Sequence, residues 1–275
     1  MFILSLDTII CLCILLILNF VISKIKYLID KPEIAHHKYK HKEIIPLSGG
    51  IYFFLSLIFL SFLNNLELKI LFFLIPFLII GIVADIRQEF SPKIRLILQV
   101  SFIFVLVYFN EVKISSIDLD LFDQFLEYKI FNLLFVIFCL VTVLNGHNFM
   151  DGLNSFVIGN FILVLLSIYY VELQVNLNTF EFISILQNLI ILSLVFFIFN
   201  AFGKCFLGDN GIYVFSLFIS FLVISFIENS NGLISPLMAA IFLWYPAFEN
   251  LFSILRRIKK KEAIQKTDTR HLHSL

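Results

Sequence analysis

The stretch FLGDNG places one acidic residue among glycines in a chain that is otherwise strongly apolar. Asp209 stands between Gly208 and Gly211, immediately before a long apolar run. Glycines let the backbone turn sharply and approach a ligand closely, and a carboxylate is a ligand type that Mg²⁺ prefers. Two interpretations follow: a metal-binding loop, or a turn whose aspartate caps the next helix.

A second polar stretch, NGHNFMDGLNSF, separates two further apolar runs. Its residues Asn148, Asp151 and Asn154 are spaced at i, i+3 and i+6, so on a helical start they would share one face. Amide and acid groups together suit the polar edges of a nucleobase or ribose. The simpler alternative is that Asp151 caps the following helix. Asn145 and His147 add more polar groups than one cap requires.

Other polar residues are ambiguous when taken singly. Asp85 follows IIGIVA, where it is either a site residue or an interfacial charge beside Arg87. His271 and His273 close the chain in a basic tail, and Lys40 lies in an early basic segment. Histidine among lysine and arginine suits a phosphate contact, but it is also typical of solvated surface. A basic face beside a membrane is attracted to anionic lipid as well.

The elements that position these residues are long apolar runs. The chain is 60% hydrophobic, whereas soluble domains are about 45–50% apolar. A helix of about 20 apolar residues crosses the hydrocarbon core, and the runs lack the alternation of barrel strands. We therefore predict an all-α, polytopic membrane protein with one transmembrane domain over residues 1–275. The nine predicted spans cover residues 3–23, 49–63, 69–84, 95–110, 130–145, 153–171, 183–202, 212–228 and 233–255.

Basic residues predict the orientation of these spans. All of the 20 lysines and arginines except Lys69, Lys113 and Lys129 fall in loops after odd-numbered spans or in the tail, residues 256–275. The positive-inside rule then places the N-terminus outside and the tail in the cytoplasm. Every polar cluster named above falls on that same cytoplasmic side. This favours an enzyme at the membrane face over the alternative, a transporter, whose ionisable groups lie near the midplane.

Five motifs, taken in order, resemble one enzyme family. They are DKP (30–32) with IPLSGGI (45–51), GIVADIRQEFSPKIRLILQ (81–99), NGHNFMDGLNS (145–155), FLGDNG (206–211) and DTRHLH (268–273). Together they resemble the bacterial polyprenyl-phosphate N-acetylaminosugar-1-phosphate transferases. The resemblance covers nearly the whole chain.

The resemblance implies a reaction and a set of site residues. The enzyme would take a UDP-N-acetylaminosugar and a polyprenyl phosphate at the bacterial inner membrane, join them as a polyprenyl-diphosphate sugar, and release UMP. Its partners would include no nucleic acid, and a homodimer is expected. Mg²⁺, or Mn²⁺ in its place, would bind Asp209. By the same resemblance, Asp85, Asp209, His271 and His273 would be catalytic, and Asn148, Asp151, Asn154, Lys204, Gly208 and Lys40 would bind the ligands.

Three departures from the family pattern bear on activity. Ala84 stands where the family has the first acid of an Asp-Asp pair, and Ser274 replaces a third histidine of the terminal motif. The chain ends at Leu275, where the family continues into at least one more helix, so a last helix is expected to be missing. An inactive relative that binds lipid or nucleotide is therefore a further alternative.

N-acetylglucosamine, or an N-acetylated deoxy amino sugar, is the expected donor sugar, for a cell-surface polysaccharide.

Overall fold

The computed structural model describes residues 6–30, 45–64, 68–87, 90–151, 155–175, 177 and 180–260. Within these ranges the chain is almost entirely helical, which confirms the predicted fold class. The helices are α1 (Leu6–Ile25), α2 (Gly49–Asn64), α3 (Leu68–Ile86), α4 (Pro92–Phe109), α5 (Asp120–Leu126), α6 (Lys129–Met150), α7 (Phe156–Val175), α8 (Phe180–Ala201), α9 (Gly208–Glu228), α10 (Leu237–Phe242) and α11 (Trp244–Lys260). Two short strands, β1 (Ile29–Asp30) and β2 (Ile45–Pro46), pair antiparallel.

Eight helices carry the apolar runs that the sequence predicts. In the described part of the chain, α4, α6, α7, α8 and α9 are long and apolar enough to cross a membrane. Shorter apolar segments lie in α1, α2 and α3. The protein is therefore a multi-pass helical membrane protein. The number of crossings and their orientation stay predictions.

The ninth predicted span, 233–255, is wrong as a single apolar helix. The structure ends α10 at Phe242 and starts α11 at Trp244, and α11 runs on to Lys260. The exposed side of α11 is apolar and its buried side is polar. The exposed residues include Trp244, Phe248, Leu251, Leu255 and Ile258, and the buried ones include Glu249, Asn250, Ser253 and Arg257. The hydrophobic stretch in the sequence thus reflects one face of an amphipathic helix.

The chain divides into two compact units, one of Met1–Phe90 with Asp151–Phe215, the other of Ser91–Met150 with Ser216–Leu275. The first unit has an aromatic core in which Phe53 contacts Phe215, with ring centroids 3.9 Å apart, and Phe161 lies 4.5 Å from the same ring. The buried Tyr52 hydroxyl donates to the carbonyl of Leu192 at 3.1 Å. This core packs α2, α7 and α8 around the first turns of α9.

The second unit is built on α6, which packs against α4 and α11. Gly146 of α6 lies against the backbone of Pro246 in α11, where a side chain would overlap the Pro246 carbonyl. Asn250 Nδ2 donates to the carbonyl of Thr142 at 3.1 Å, and the Arg257 guanidinium lies 5.5 Å from the centre of the Phe149 ring. The buried polar side of α11 is thus matched by polar and aromatic groups of α6.

Candidate active site at the start of α9

The carboxylate of Asp85, at the end of α3, caps the start of α9. Its Oδ1 accepts the backbone N–H of Asp209 at 2.8 Å. Its Oδ2 accepts the backbone N–H of Asn210 at 3.1 Å and the side-chain Nδ2 of Asn210 at 2.5 Å. The first N–H groups of a helix lack partners within the helix, and the helix start favours negative charge. Asp85 therefore supplies the capping group that one interpretation of FLGDNG had given to Asp209.

Gly208 makes this arrangement sterically accessible. Its φ is +67°, in the left-handed region that favours glycine. A Cβ at this position would also lie 2.7 Å from Asp85 Oδ2. A side chain at position 208 would therefore push the Asp85 carboxylate away from the N–H groups that it accepts. The structure gives Gly208 a conformational role, whereas its ligand contact stays a prediction.

Asn210 was not among the residues predicted from the sequence. Its side chain is fully buried. Besides its bond to Asp85, its Nδ2 donates to the carbonyl of Leu47 at 3.2 Å, and its Oδ1 accepts the N–H of Gly50 at 2.6 Å. The same side chain thus caps the start of α2 and holds the start of α9. The only signal in the sequence is an amide next to Asp209, which does not reveal these distant partners.

The segments that lead into α2 and α9 are hydrogen-bonded to each other. Phe206 N–H donates to the carbonyl of Pro46 at 2.9 Å, and Gly49 N–H donates to the carbonyl of Phe206 at 3.3 Å. The segments 45–50 and 205–211, which the sequence predicts to face one side of the membrane, are therefore in direct contact. The motifs IPLSGGI and FLGDNG form one hydrogen-bonded frame.

Asn200, at the end of α8, is a second buried amide that the sequence reasoning missed. Its Oδ1 accepts the N–H of Ser155 at 2.7 Å, and its Nδ2 donates to the carbonyl of Cys205 at 2.7 Å. Ser155 has a φ of +66°, which is uncommon for a residue with a side chain. Asn200 therefore holds Ser155, the last residue of the motif NGHNFMDGLNS, next to Cys205 in the segment that leads to Asp209.

The remaining predicted residues are placed only in part. Asp151 lies in a turn directly after α6, and α7 begins at Phe156, so Asp151 does not open this helix as the sequence predicts. Asn148 belongs to the last turn of α6, so the polar triad does not start a helix. Lys204 is exposed between α8 and α9, and Ala84 is half-buried beside Asp85. The predicted residues Lys40, Asn154, His271 and His273 lie outside the described residues.

A Mg²⁺ ion fits the chemistry of this site. Mg²⁺ binds through one or two carboxylates and takes its other ligands from substrate phosphates and water. The described residues contain no cluster of three or more His, Cys, Asp or Glu side chains. Asp85 is a poor ligand because its two oxygens already accept three hydrogen bonds. Asp209 is the carboxylate that the resemblance gives as the cation ligand, and this assignment stays a prediction.

Backbone groups at the start of α9 do not offer an open phosphate site. The N–H groups of Asp209 and Asn210 donate to Asp85, and the N–H of Gly211 donates to the carbonyl of Leu207 at 3.2 Å. A bound diphosphate would therefore need its charge neutralised by a cation or by basic side chains. The site thus consists of two acidic residues, Asp85 and Asp209, and the amide of Asn210, where α3 ends and α9 starts in a multi-pass membrane protein.

Sequence comparison assigns this membrane protein to a known family. The model of glycosyl transferase family 4 matches residues 68–227, which is more than half of the chain and includes both Asp85 and Asp209. The chain belongs to glycosyl transferase family 4. The resemblance inferred from the five motifs is confirmed at this level.

Curated relatives match over most of the chain. A probable undecaprenyl-phosphate N-acetylglucosaminyl 1-phosphate transferase of Bacillus subtilis is 22% identical over 263 residues, covering 94% of this chain and 73% of the relative. An undecaprenyl-phosphate α-N-acetylglucosaminyl 1-phosphate transferase of Thermotoga maritima is 26% identical over 255 residues, covering 92% and 74%. The Escherichia coli K12 protein of the same name is 24% identical over 263 residues, covering 90% and 68%.

Proposed function

We propose that this protein transfers an N-acetylaminosugar-1-phosphate from a UDP-sugar to a polyprenyl phosphate and releases UMP. Two observations support the proposal: membership of glycosyl transferase family 4, and relatives whose names describe this transfer to undecaprenyl phosphate. The observation that carries it in the structure is that the two acidic residues of the family motifs meet at the start of α9, where the Asp85 carboxylate accepts the backbone N–H groups of Asp209 and Asn210.

The chemistry places limited demands on the protein. An oxygen of the lipid phosphate attacks the phosphorus that carries the sugar, and the bond from that phosphorus to the UMP oxygen breaks. Such a transfer depends mainly on in-line positioning and on neutralising charge. A Mg²⁺ ion held by Asp209 would polarise the diphosphate and neutralise its developing charge. Asp85 keeps the start of α9, and therefore Asp209, in place.

Ala84 does not remove a step that this reaction requires. A phosphate monoester has a second pKa of about 6, so the lipid phosphate is largely ionised at neutral pH and needs no base. The acid that the family carries at position 84 would then assist the reaction without being indispensable to it. We expect the natural chain to be active, at a reduced rate.

Nucleotide binding is proposed for the motif NGHNFMDGLNS, whose last residue, Ser155, is bonded to Asn200. Asn148, Asp151 and Asn154 would bind the uridine or ribose, since they supply both hydrogen-bond donors and acceptors. Lys40, Lys204, His271 and His273 would supply positive charge near the diphosphate. The distribution of basic residues supports a site on the cytoplasmic face of a bacterial inner membrane. N-acetylglucosamine is the proposed sugar because the names of the relatives specify it.

Product identity tests the proposal. Purified protein in detergent is incubated with Mg²⁺, undecaprenyl phosphate and each of several UDP-amino sugars, and soluble and lipid products are separated. We expect UMP and a lipid diphosphate sugar in equal amounts. Asp209→Asn removes the charge and keeps the shape, so it should abolish product without loss of folded protein. Solute flux across vesicles with no UMP formed would favour a transporter instead.

A further inference from the structure

We propose that Asn210 is a positioning residue for the transfer reaction, because its side-chain amide locks the first turn of α9, and Asp209 with it, to α2 and α3. The inference rests on the proposed function for its kinetic consequences. Its structural basis is independent of that function, because every contact involved lies within the first compact unit.

The amide of Asn210 has no unused hydrogen-bonding group of either kind. Both N–H groups of Nδ2 are donated, one to Asp85 Oδ2 and one to the Leu47 carbonyl, and Oδ1 accepts the N–H of Gly50. A buried side chain that is fully paired specifies one orientation, because every alternative leaves a polar group unsatisfied. Asn210 therefore holds α2, α3 and α9 in a single relative arrangement.

This arrangement reaches Asp209 through Asp85. The Asp85 carboxylate receives two hydrogen bonds from Asn210, at its side chain and its backbone, and one from the backbone of Asp209. The direction of the Asp209 side chain follows from the backbone of the helical turn that carries it. Loss of the Asn210 amide would leave the Asp85 carboxylate with its two backbone hydrogen bonds alone, and the first turn of α9 would lose its links to Leu47 and Gly50.

The surrounding backbone leaves no room for adjustment. Gly50 and Gly81 both approach Asn210 so closely that a Cβ at either position would overlap its backbone. Glycine at these two positions lets α2 and α3 both come into close contact with the first turn of α9. Catalysis is sensitive to such placement, since a displacement of about 1 Å can cost about 100-fold in rate. Asn210 is thus suited to setting the position of the carboxylate.

The first test compares two buried asparagines. Asn132 is the matched control: it is also buried, and its amide also makes three hydrogen bonds, all of them to backbone groups of Ile114 and Leu126. We expect Asn210→Ala to lower kcat by at least about tenfold, with KM for the UDP-sugar changed less than about twofold. Asn132→Ala should keep the wild-type kcat. Hydrogen exchange should quicken in peptides covering residues 46–51 and 206–212 of Asn210→Ala only.

The second test removes both donors and keeps the shape of the side chain. Asn210→Asp places a carboxylate oxygen against Asp85 Oδ2 and against the Leu47 carbonyl, both of which accept a hydrogen bond from Asn210 Nδ2 in the natural chain. We expect Asn210→Asp to lower kcat more than Asn210→Ala does, because it adds repulsion to the loss of the two hydrogen bonds.

The outcomes separate this inference from the proposed function. Wild-type kcat in Asn210→Ala, an equal loss in Asn132→Ala, or a kcat of Asn210→Asp that is no lower than that of Asn210→Ala would each overturn the positioning role. If the wild-type protein itself forms no UMP, the proposed function fails, and the hydrogen-exchange comparison still decides whether Asn210 holds the three helix ends. Unchanged hydrogen exchange at residues 46–51 and 206–212 in Asn210→Ala would show that Asn210 does not hold these helix ends together.

Discussion

Gly81→Ala is expected to disturb the start of α9 without replacing any predicted catalytic residue. Gly81 lies within α3, and a Cβ there would come 2.5 Å from the backbone nitrogen of Asn210 and 2.8 Å from the carbonyl carbon of Asp209. These neighbours are backbone atoms, so they cannot give way by rotating a side chain. The added methyl group must separate α3 from α9 at the site.

Two opposing effects determine how much Gly81→Ala changes the free energy of unfolding. Alanine in place of glycine inside a helix stabilises by up to about 1 kcal/mol. Forcing a methyl group into a tightly packed contact costs about 1–3 kcal/mol, and backbone overlap belongs at the upper end of that range. We therefore expect a net loss of about 1–2 kcal/mol, together with a loss of activity of at least about tenfold as Asp209 shifts.

Gly159→Ala in α7 is the matched control. A Cβ at Gly159 would meet only the Cε2 atom of Phe197 at 3.6 Å, an ordinary van der Waals contact. We expect this variant to be as stable as wild type or slightly more so, with full activity. Thermal unfolding in detergent, followed by the fluorescence of the single tryptophan, Trp244, and UMP release are the two assays. Equal behaviour of the two alanine variants would refute the close crossing of α3 and α9.

Four further predictions concern the site itself. Asp209→Asn should abolish UMP release and also remove the Mn²⁺ binding that is measured by electron paramagnetic resonance in the presence of UDP-sugar; intact activity would reject the metal assignment. Asn200→Ala leaves two buried backbone groups without their partner, at about 1–3 kcal/mol in total, and should raise KM for the UDP-sugar more than it lowers kcat. Asn148→Ala and Asp151→Ala should weaken UDP-sugar use about 5- to 150-fold while KM for the lipid is unchanged, and a loss of folded protein alone would contradict this. Ala84→Asp should raise kcat, and an unchanged kcat would show that the missing acid has no part in the reaction.

The helices were predictable because the property that makes them is local. A run of about 20 apolar residues must form a helix to satisfy its backbone in lipid, so α1 to α9 follow from the sequence, apart from the short α5. Average hydrophobicity failed at the ninth span because it ignores periodicity. Trp244, Phe248, Leu251 and Leu255 recur at three- and four-residue intervals, a signal of an amphipathic helix that was present in the sequence.

The roles within the site were only partly predictable. Asp85 and Asp209 were identified by residue type and motif, but their hydrogen bonding depends on helices far apart in the chain. Asn210 contacts Gly50, which precedes it by 160 residues, and no spacing rule predicts such a pair. The catalytic role that the sequence predicts for Asp85 stays a prediction, and the structure adds that its carboxylate holds the start of α9.

The fate of the β-phosphorus of the donor tests the central claim most directly. The protein is incubated with Mg²⁺, undecaprenyl phosphate and UDP-N-acetylglucosamine that carries ³²P only at the β-position. Transfer of a sugar-1-phosphate breaks the bond between the two phosphates, so we expect the label in the lipid product and unlabelled UMP in the aqueous phase. Label that remains in aqueous UDP beside a glycosylated lipid would contradict the account, because the sugar would then have moved without its phosphate.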